Sequence, residues 1–332
     1  MSERLVDAYD LVIFDLDGVV YLIDRPIPGA VEAIGELHRA GVPLAYATNN
    51  ASRRAGEVAD LLNGLGVPAD AGEVITSAGA SAAALARRLP PGSKVLVVGA
   101  EALRAEVREA GLEPVALAQE RPAAVVQGYG PRVGWADLAE AALAIQGGAQ
   151  WVATNTDRTL PSPRGPLPGN GSLVAALRTA LGRDPDLVVG KPEPELFATA
   201  ARRVGAQRAL VVGDRLDTDI EGAVLAGMDS LLVLTGVSGP ADLLAAPEQR
   251  RPTYVAADLG GLFEVAGAAT VPPDEVEGWR LEDGGGVRLA GDGTAIDALR
   301  LLCGLAWSGG AATEVAPHST AARDALHALG LA

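Results

Sequence analysis

Two aspartates spaced two apart, Asp15 and Asp17, follow the apolar run "LVIF" and lead into a glycine. A lone D-L-D-G is as readily a polar strand end entering a turn as a reactive centre. Three further stretches change that balance. "YATNN" places Thr48, Asn49 and Asn50 after an apolar run, "VVGKPEP" does the same with Lys191, and "VVGDRLDTDI" with Asp214, then Asp217 and Asp219. Carboxylates, a hydroxyl and one lysine at strand ends suit phosphoryl chemistry. One carboxylate can attack phosphorus and divide a difficult displacement into two steps. A second carboxyl can protonate the departing oxygen and later deprotonate water.

Such residues work together only if the fold gathers them. Short runs rich in Val, Leu and Ile, "LVIF", "VPLAYAT", "KVLVVGA", "AAVVQG", "WVATN", "DLVVG", "ALVVGD" and "SLLVLTG", read as buried parallel strands. Between them, stretches such as "PGAVEAIGELHRAG" and "PEPELFATAARRVGA" carry apolar residues at helical spacing. Strand–helix alternation predicts an α/β fold with a parallel sheet, and in such sheets ligands gather beyond the carboxyl ends of the strands. All four polar stretches lie at such ends.

Complete and in order, "FDLDG", "ATNN", "GKPEPE" and "GDRLDTD" resemble the four motifs of haloacid-dehalogenase-superfamily phosphatases over about residues 8–265. "TSAGASAAAL", "ATNTD" and "PGNGSLVAAL" are similar to the branch containing phosphoglycolate, glycerol 3-phosphate, p-nitrophenyl phosphate and pyridoxal phosphate phosphatases. The resemblance implies a Rossmann-like core, Asp15 as nucleophile through an aspartyl-phosphate, and Asp17 as acid/base. It implies Mg²⁺ held by the carboxylates of Asp15 and Asp214 and the backbone carbonyl of Asp17, with Asp219 orienting the metal's surroundings. Thr48, the backbone after it at Asn49 and Asn50, and Lys191 would hold phosphoryl oxygens. Charge supports this division of labour. Asp15, Asp214 and a phosphate dianion carry about four negative charges, against about three positive ones from Mg²⁺ and Lys191. Oxygen ligands without a histidine cluster favour Mg²⁺ over zinc. Superfamily dehalogenases lack the second aspartate, so Asp17 favours phosphate-ester hydrolysis.

Spacing locates the part that would choose the substrate. Asp15 to Thr48 is 33 positions and Lys191 to Asp214 is 23, each room for one crossover helix. Thr48 to Lys191 is 143 positions, far more than a crossover needs. The expected division is a catalytic core at 1–78 and 186–270, an inserted α/β cap of the C2 type at 79–185, and a small α+β extension at 271–332. A mutase-type cap after the first motif has no room. Within the cap, "WVATNTDRTLPSPRGPLPGNGS" is the candidate substrate loop: Asn155 and Asp157 could bond hydroxyls, and Arg158 or Arg164 could meet a carboxylate. The competing reading is a Pro/Gly loop whose polar residues make turns and helix caps.

The extension has a hairpin pattern in "GWRLEDGGGVRLA" and two Ala/Leu-rich helical stretches. "RLAGDG" resembles the R-x-x-G-x-G turn of GNAT acetyltransferases, but the segment covers less than half of such a fold, so a half-domain that packs on the core or supports a homodimer is expected instead. A phosphatase with this extension is similar to actinobacterial glycerol 3-phosphate phosphatases. The expected substrate is a small phosphorylated metabolite, glycerol 3-phosphate first, then 2-phosphoglycolate or another small ester such as a sugar phosphate or pyridoxal phosphate. The reading from a different class is a catalytically silent ligand-binding or scaffolding protein.

A net charge of −15 argues against nucleic acid and anionic membranes as partners. No apolar stretch approaches a membrane span. The start lacks the basic and apolar blocks of a secretion signal. With Cys303 alone, no internal disulfide forms. A cytoplasmic location is expected. His38, His318, His327 and Cys303 read as structural residues.

Overall fold

The structure is a computed structural model, and it describes residues 4–160, 164–273, 276, 278–283, 287–312 and 315–331. The chain falls into two compact units, one of Met1–Leu44, Leu65–Pro68 and Ala201–Ala332, the other of Ala45–Gly64 and Ala69–Ala200.

In the first unit the strands Tyr254–Ala256, Asp229–Val233, Ala209–Gly213 and Leu11–Phe14 lie side by side in that order, all parallel. Leu11 to Phe14 and Leu210 to Val212 are entirely buried, which explains why these strands read as unbroken apolar runs rather than alternating ones. The helix Ala30–Ala40 buries Ala30, Ala33, Ile34 and Leu37, the side chains its periodicity aligns on one face.

The extension belongs to this unit and shares its core. The strands Trp279–Asp283 and Val287–Gly291 pair antiparallel, and Ala316–Pro317 adds a parallel third. The turn of the expected hairpin, at 284–286, lies outside the described residues. Helices Ala295–Trp307 and Thr320–Ala328 supply Leu299, Leu302, Cys303 and Leu326 to one apolar cluster with Leu216, Ile220, Leu232, Leu243 and Val255. Arg300, 2% exposed, reaches across it: Nε and Nη2 donate to the Val255 carbonyl at 2.9 and 2.6 Å, and Nη2 and Nη1 meet Glu264 at 2.9 Å and Asp297 at 2.8 Å. Cys303 is packed in this cluster, and burial pushes its thiol up to about 12. It is a small apolar core residue, as expected.

In the second unit Leu44–Thr48 pairs parallel with Val74–Thr76. A separate five-stranded parallel sheet runs Leu187–Val188, Gln150–Ala153, Ala124–Gln127, Lys94–Val98, Glu113–Val115. Trp151, Leu96, Val125 and Ile145 fill its core with Val174 and Leu177 of the helix Asn170–Leu181. "DLVVG" is thus only two residues of strand, at an edge of this sheet. One expectation is corrected here: the Pro/Gly stretch after Asp157 contains a short antiparallel ladder, Thr159–Leu160 with Leu167–Pro168. Two-residue strands leave no periodic trace, so the sequence pattern could not reveal it.

Candidate active site

Parallel register sets the first group of site residues. Phe14 is level with Val212, and the Asp15 amide donates to the Val212 carbonyl at 2.9 Å, so Asp15 and Asp214 leave neighbouring strands at the same carboxyl edge. After Asp214 the chain makes one wide turn, Leu216–Ile220, that returns Asp219 towards the strand ends. Carboxylate oxygens of Asp15, Asp214 and Asp219 all lie within 4.8 Å of one another. Asp219 Oδ2 accepts the Arg215 amide at 3.1 Å. Asp217 faces away: it is exposed, and the Arg215 guanidinium hydrogen-bonded to it holds its carboxyl below the usual range. Asp17 is exposed too, and its carboxylate is not one of the three that converge.

Backbone amides hold Asp214. It has no exposure, Oδ2 accepts the Val237 amide at 2.7 Å, and its carbonyl accepts the Ser238 amide at 3.0 Å. Two glycines make room. Gly18 has φ +85°, the left-handed region glycine enters without penalty. A Cβ there would stand 2.6 Å from Asp214 Oδ2, and one at Gly236 would stand 2.5 Å from Asp214 Cγ. The Thr235 hydroxyl ties the two turns together, donating to the Gly18 carbonyl at 2.6 Å. The turn Thr235–Ser238 thus packs against Asp214 and the Gly18 turn. Its only signal in the sequence is a glycine just past an apolar strand.

The donor set fits a hard cation. Mg²⁺ takes oxygen ligands, and the carboxylate oxygens gathered within 4.8 Å of one another are of that kind. Among the described residues no histidine or thiolate joins them.

The second group lies in the second unit. Thr48 ends its strand 5% exposed, and its hydroxyl accepts the Asn50 amide at 3.1 Å. Asn50 is exposed and its carboxamide oxygen accepts from the amide and hydroxyl of Ser52, both at 2.8 Å. Lys191 is 4% exposed, with Nζ 3.4 Å from the Ala47 carbonyl. Asn49 Oδ1 accepts the Lys191 amide at 2.8 Å, while Nδ2 donates to the Lys191 carbonyl at 3.1 Å and to both Asp157 oxygens at 3.1 and 3.2 Å. Asn155 is 4% exposed, and its Nδ2 donates to the Asn49 carbonyl at 2.7 Å. The unit therefore brings together Thr48, Asn49, Asn155, Asp157 and Lys191. Two residues outside the four motifs join them: the Ser77 hydroxyl also donates to the Asn49 carbonyl at 2.7 Å, and Asn170 donates to the Asn155 carbonyl at 2.7 Å.

Residues 12–113 match the family of haloacid dehalogenase-like hydrolases, and residues 188–262 match the HAD-hydrolase-like family. The D-glycerol 3-phosphate phosphatase of Mycobacterium tuberculosis is 50% identical over 284 residues, which are 86% of this chain and 79% of that protein. The chain is a haloacid dehalogenase-like hydrolase. A crystal structure of glycerol phosphate phosphatase from M. tuberculosis in complex with magnesium overlays this hydrolase with TM-score 0.92 at 45% identity, covering 100% of both chains. The p-nitrophenyl phosphatase from Archaeoglobus fulgidus overlays with TM-score 0.71 at 32% identity, covering 77% of this chain and 98% of its own. The hydrolase has the α/β fold with parallel sheets that its strand pattern predicts.

Proposed function

We propose that this hydrolase is a Mg²⁺-dependent phosphomonoesterase that works through an aspartyl-phosphate on Asp15, with glycerol 3-phosphate as its first substrate and 2-phosphoglycolate as its second. The observation that carries the reading is the convergence of the Asp15, Asp214 and Asp219 carboxylates at the end of buried parallel strands. The likeness to the M. tuberculosis enzyme supports both the metal and the substrate.

In this reading Mg²⁺, held by Asp15, Asp214 and the Asp17 carbonyl, offsets the charge of the phosphate dianion. Asp219, tied to the Arg215 amide, orients the metal's surroundings. The Asp15 carboxylate attacks phosphorus while Asp17 gives its proton to the departing alkoxide. Asp17 then takes a proton from the water that hydrolyses the acyl phosphate. The Thr48 hydroxyl, the amides of Asn49 and Asn50, and the Lys191 ammonium hold the phosphoryl oxygens through both steps.

The functional division we propose is a core at 1–78 and 186–270, a cap at 79–185 and an extension at 271–332. Among the described residues no helix is long and apolar enough to cross a membrane. A cytoplasmic location is proposed. A homodimer is the proposed assembly. Trp135, 83% exposed, and Leu143, 57% exposed, are apolar side chains on the helix Trp135–Gln146 that a second copy would cover.

The test is phosphate release from a panel of small phosphomonoesters with Mg²⁺ and with EDTA. Turnover that needs Mg²⁺ and is highest for glycerol 3-phosphate is expected. Folded, Mg²⁺-replete protein that hydrolyses none of them would return the protein to the binding-protein reading.

A further inference from the structure

The loop after strand Gln150–Ala153 is expected to present Asn155 and Asp157 to the substrate, yet both side chains bond Asn49. Asn155 is 4% exposed. Its Nδ2 donates to the Asn49 carbonyl, and its Oδ1 accepts the Asp157 amide at 3.2 Å, which winds the loop back on itself. Both Asp157 oxygens accept from Asn49 Nδ2. Asn49 in turn embraces one residue. Its carboxamide takes the Lys191 amide at 2.8 Å and gives to the Lys191 carbonyl at 3.1 Å, the pairing a neighbouring strand would provide. The fit is close enough to need glycine beside it. A Cβ at Gly190 would lie 2.6 Å from Asn49 Oδ1 and 2.8 Å from Asn155 Cβ.

We infer that Asn155 and Asp157 are positioning residues: they fix the Asn49 carboxamide, and Asn49 fixes the backbone from which the Lys191 ammonium projects. The inference rests on the phosphatase reading, because it is there that Lys191 meets a phosphoryl oxygen. The Asp157 carboxylate polarises the Asn49 amide group, and a charge-assisted hydrogen bond is about twice as strong as a neutral one. Lys191 has a long, flexible side chain, and anchoring its backbone on both polar groups confines where its charge can stand. The role differs from substrate selection in a measurable way. A residue that bonds the glycerol hydroxyls affects only substrates carrying them, whereas one that sets the position of Lys191 affects every phosphate ester equally.

The experiment compares wild type, Asn155→Ala and Asp157→Asn on the best alkyl phosphate of the panel and on p-nitrophenyl phosphate. Inhibition by inorganic phosphate and thermal melting are measured alongside. Both variants should lose about tenfold to a hundredfold in kcat, by the same factor on the two substrates. Inorganic phosphate should inhibit them more weakly, because it has no leaving group and reads the phosphoryl pocket alone. A loss confined to the alkyl phosphate would overturn the inference in favour of direct contact with the leaving group. Lower melting temperatures with kcat and phosphate inhibition unchanged would reduce both residues to a structural role. If the loop variants do not fold, Ser77→Ala removes the other donor to the Asn49 carbonyl. A smaller loss, again equal on both substrates, is expected there, and no loss overturns the inference. A wild type inert towards every ester would sink the functional reading and this one together, whereas selective loss in an active enzyme sinks only this one.

Discussion

Replacing Gly236 with alanine tests the carboxylate cluster without touching a carboxylate. The added Cβ would stand 2.5 Å from Cγ and 2.7 Å from Cβ of Asp214, where carbon atoms rest at about 3.5–4.0 Å. Rotating the carboxylate cannot relieve this, because the Asp214 Cβ is itself too close. The side chain must withdraw by about 1 Å, and it has no exposed direction in which to go. The 2.7 Å bond from the Val237 amide is then stretched or lost. Overpacking of this kind costs about 1–3 kcal/mol of stability. The larger effect is expected on the metal, since Mg²⁺ demands near-ideal octahedral geometry and a ligand displaced by half its bond length no longer serves. Apparent Mg²⁺ affinity should fall about tenfold to a hundredfold. The assay is a Mg²⁺ titration of p-nitrophenyl phosphate hydrolysis, with calorimetric titration of Mg²⁺ and a melting curve on the same preparation. Gly35→Ala is the control: nothing lies within 4 Å of its added Cβ in the helix Ala30–Ala40, so it should gain about 0.4–1 kcal/mol and leave Mg²⁺ binding alone. A folded Gly236→Ala enzyme with wild-type Mg²⁺ affinity would refute the argument that this turn seats Asp214.

Asp15→Asn should abolish turnover and phosphoenzyme while the fold persists, since an amide cannot act as the nucleophile; trapped phosphate on any other residue would disprove the assignment. Asp17→Asn should lower the rate far more with alkyl phosphates than with p-nitrophenyl phosphate, whose phenolate departs with less protonation, and equal losses with single-turnover chemistry limiting would count against the acid role. Truncation after residue 270 should leave Mg²⁺-dependent chemistry in whatever fraction stays folded, but lower the melting temperature, because it uncovers Leu216, Leu232, Leu243 and Val255. A folded, metal-binding truncation without chemistry would show that the extension serves the active site. Arg300→Met should cost about 2–3 kcal/mol by denaturant titration, as the Val255 carbonyl loses two charged donors, and an unchanged midpoint would contradict the buried contact.

The residue types suited to phosphoryl chemistry, and the sheet edge that carries Asp15 and Asp214, are readable from the chain alone. Apolar runs such as "LVIF" and "ALVVG" are legible because a strand buried on both faces must be continuously apolar, and a parallel sheet fixes which end carries Asp15 and Asp214. The 143 positions from Thr48 to Lys191, far more than one crossover needs, are the ground for the proposed cap at 79–185. What each polar side chain meets depends instead on how distant loops are brought together. Asp214 rests against Gly236 and Val237, and Asn49 meets Asp157 more than a hundred residues later; a strand's period reports which face a residue takes, but not which loop arrives beside it. Val74–Thr76 was hidden likewise, being too short for periodicity and defined by the partner it pairs with. The extension shows the same division at larger scale. Its helices could be read from their Ala/Leu pattern, but that Leu302 and Cys303 complete the core around Leu243 depends on where the chain returns, and hydrophobic burial names no partner.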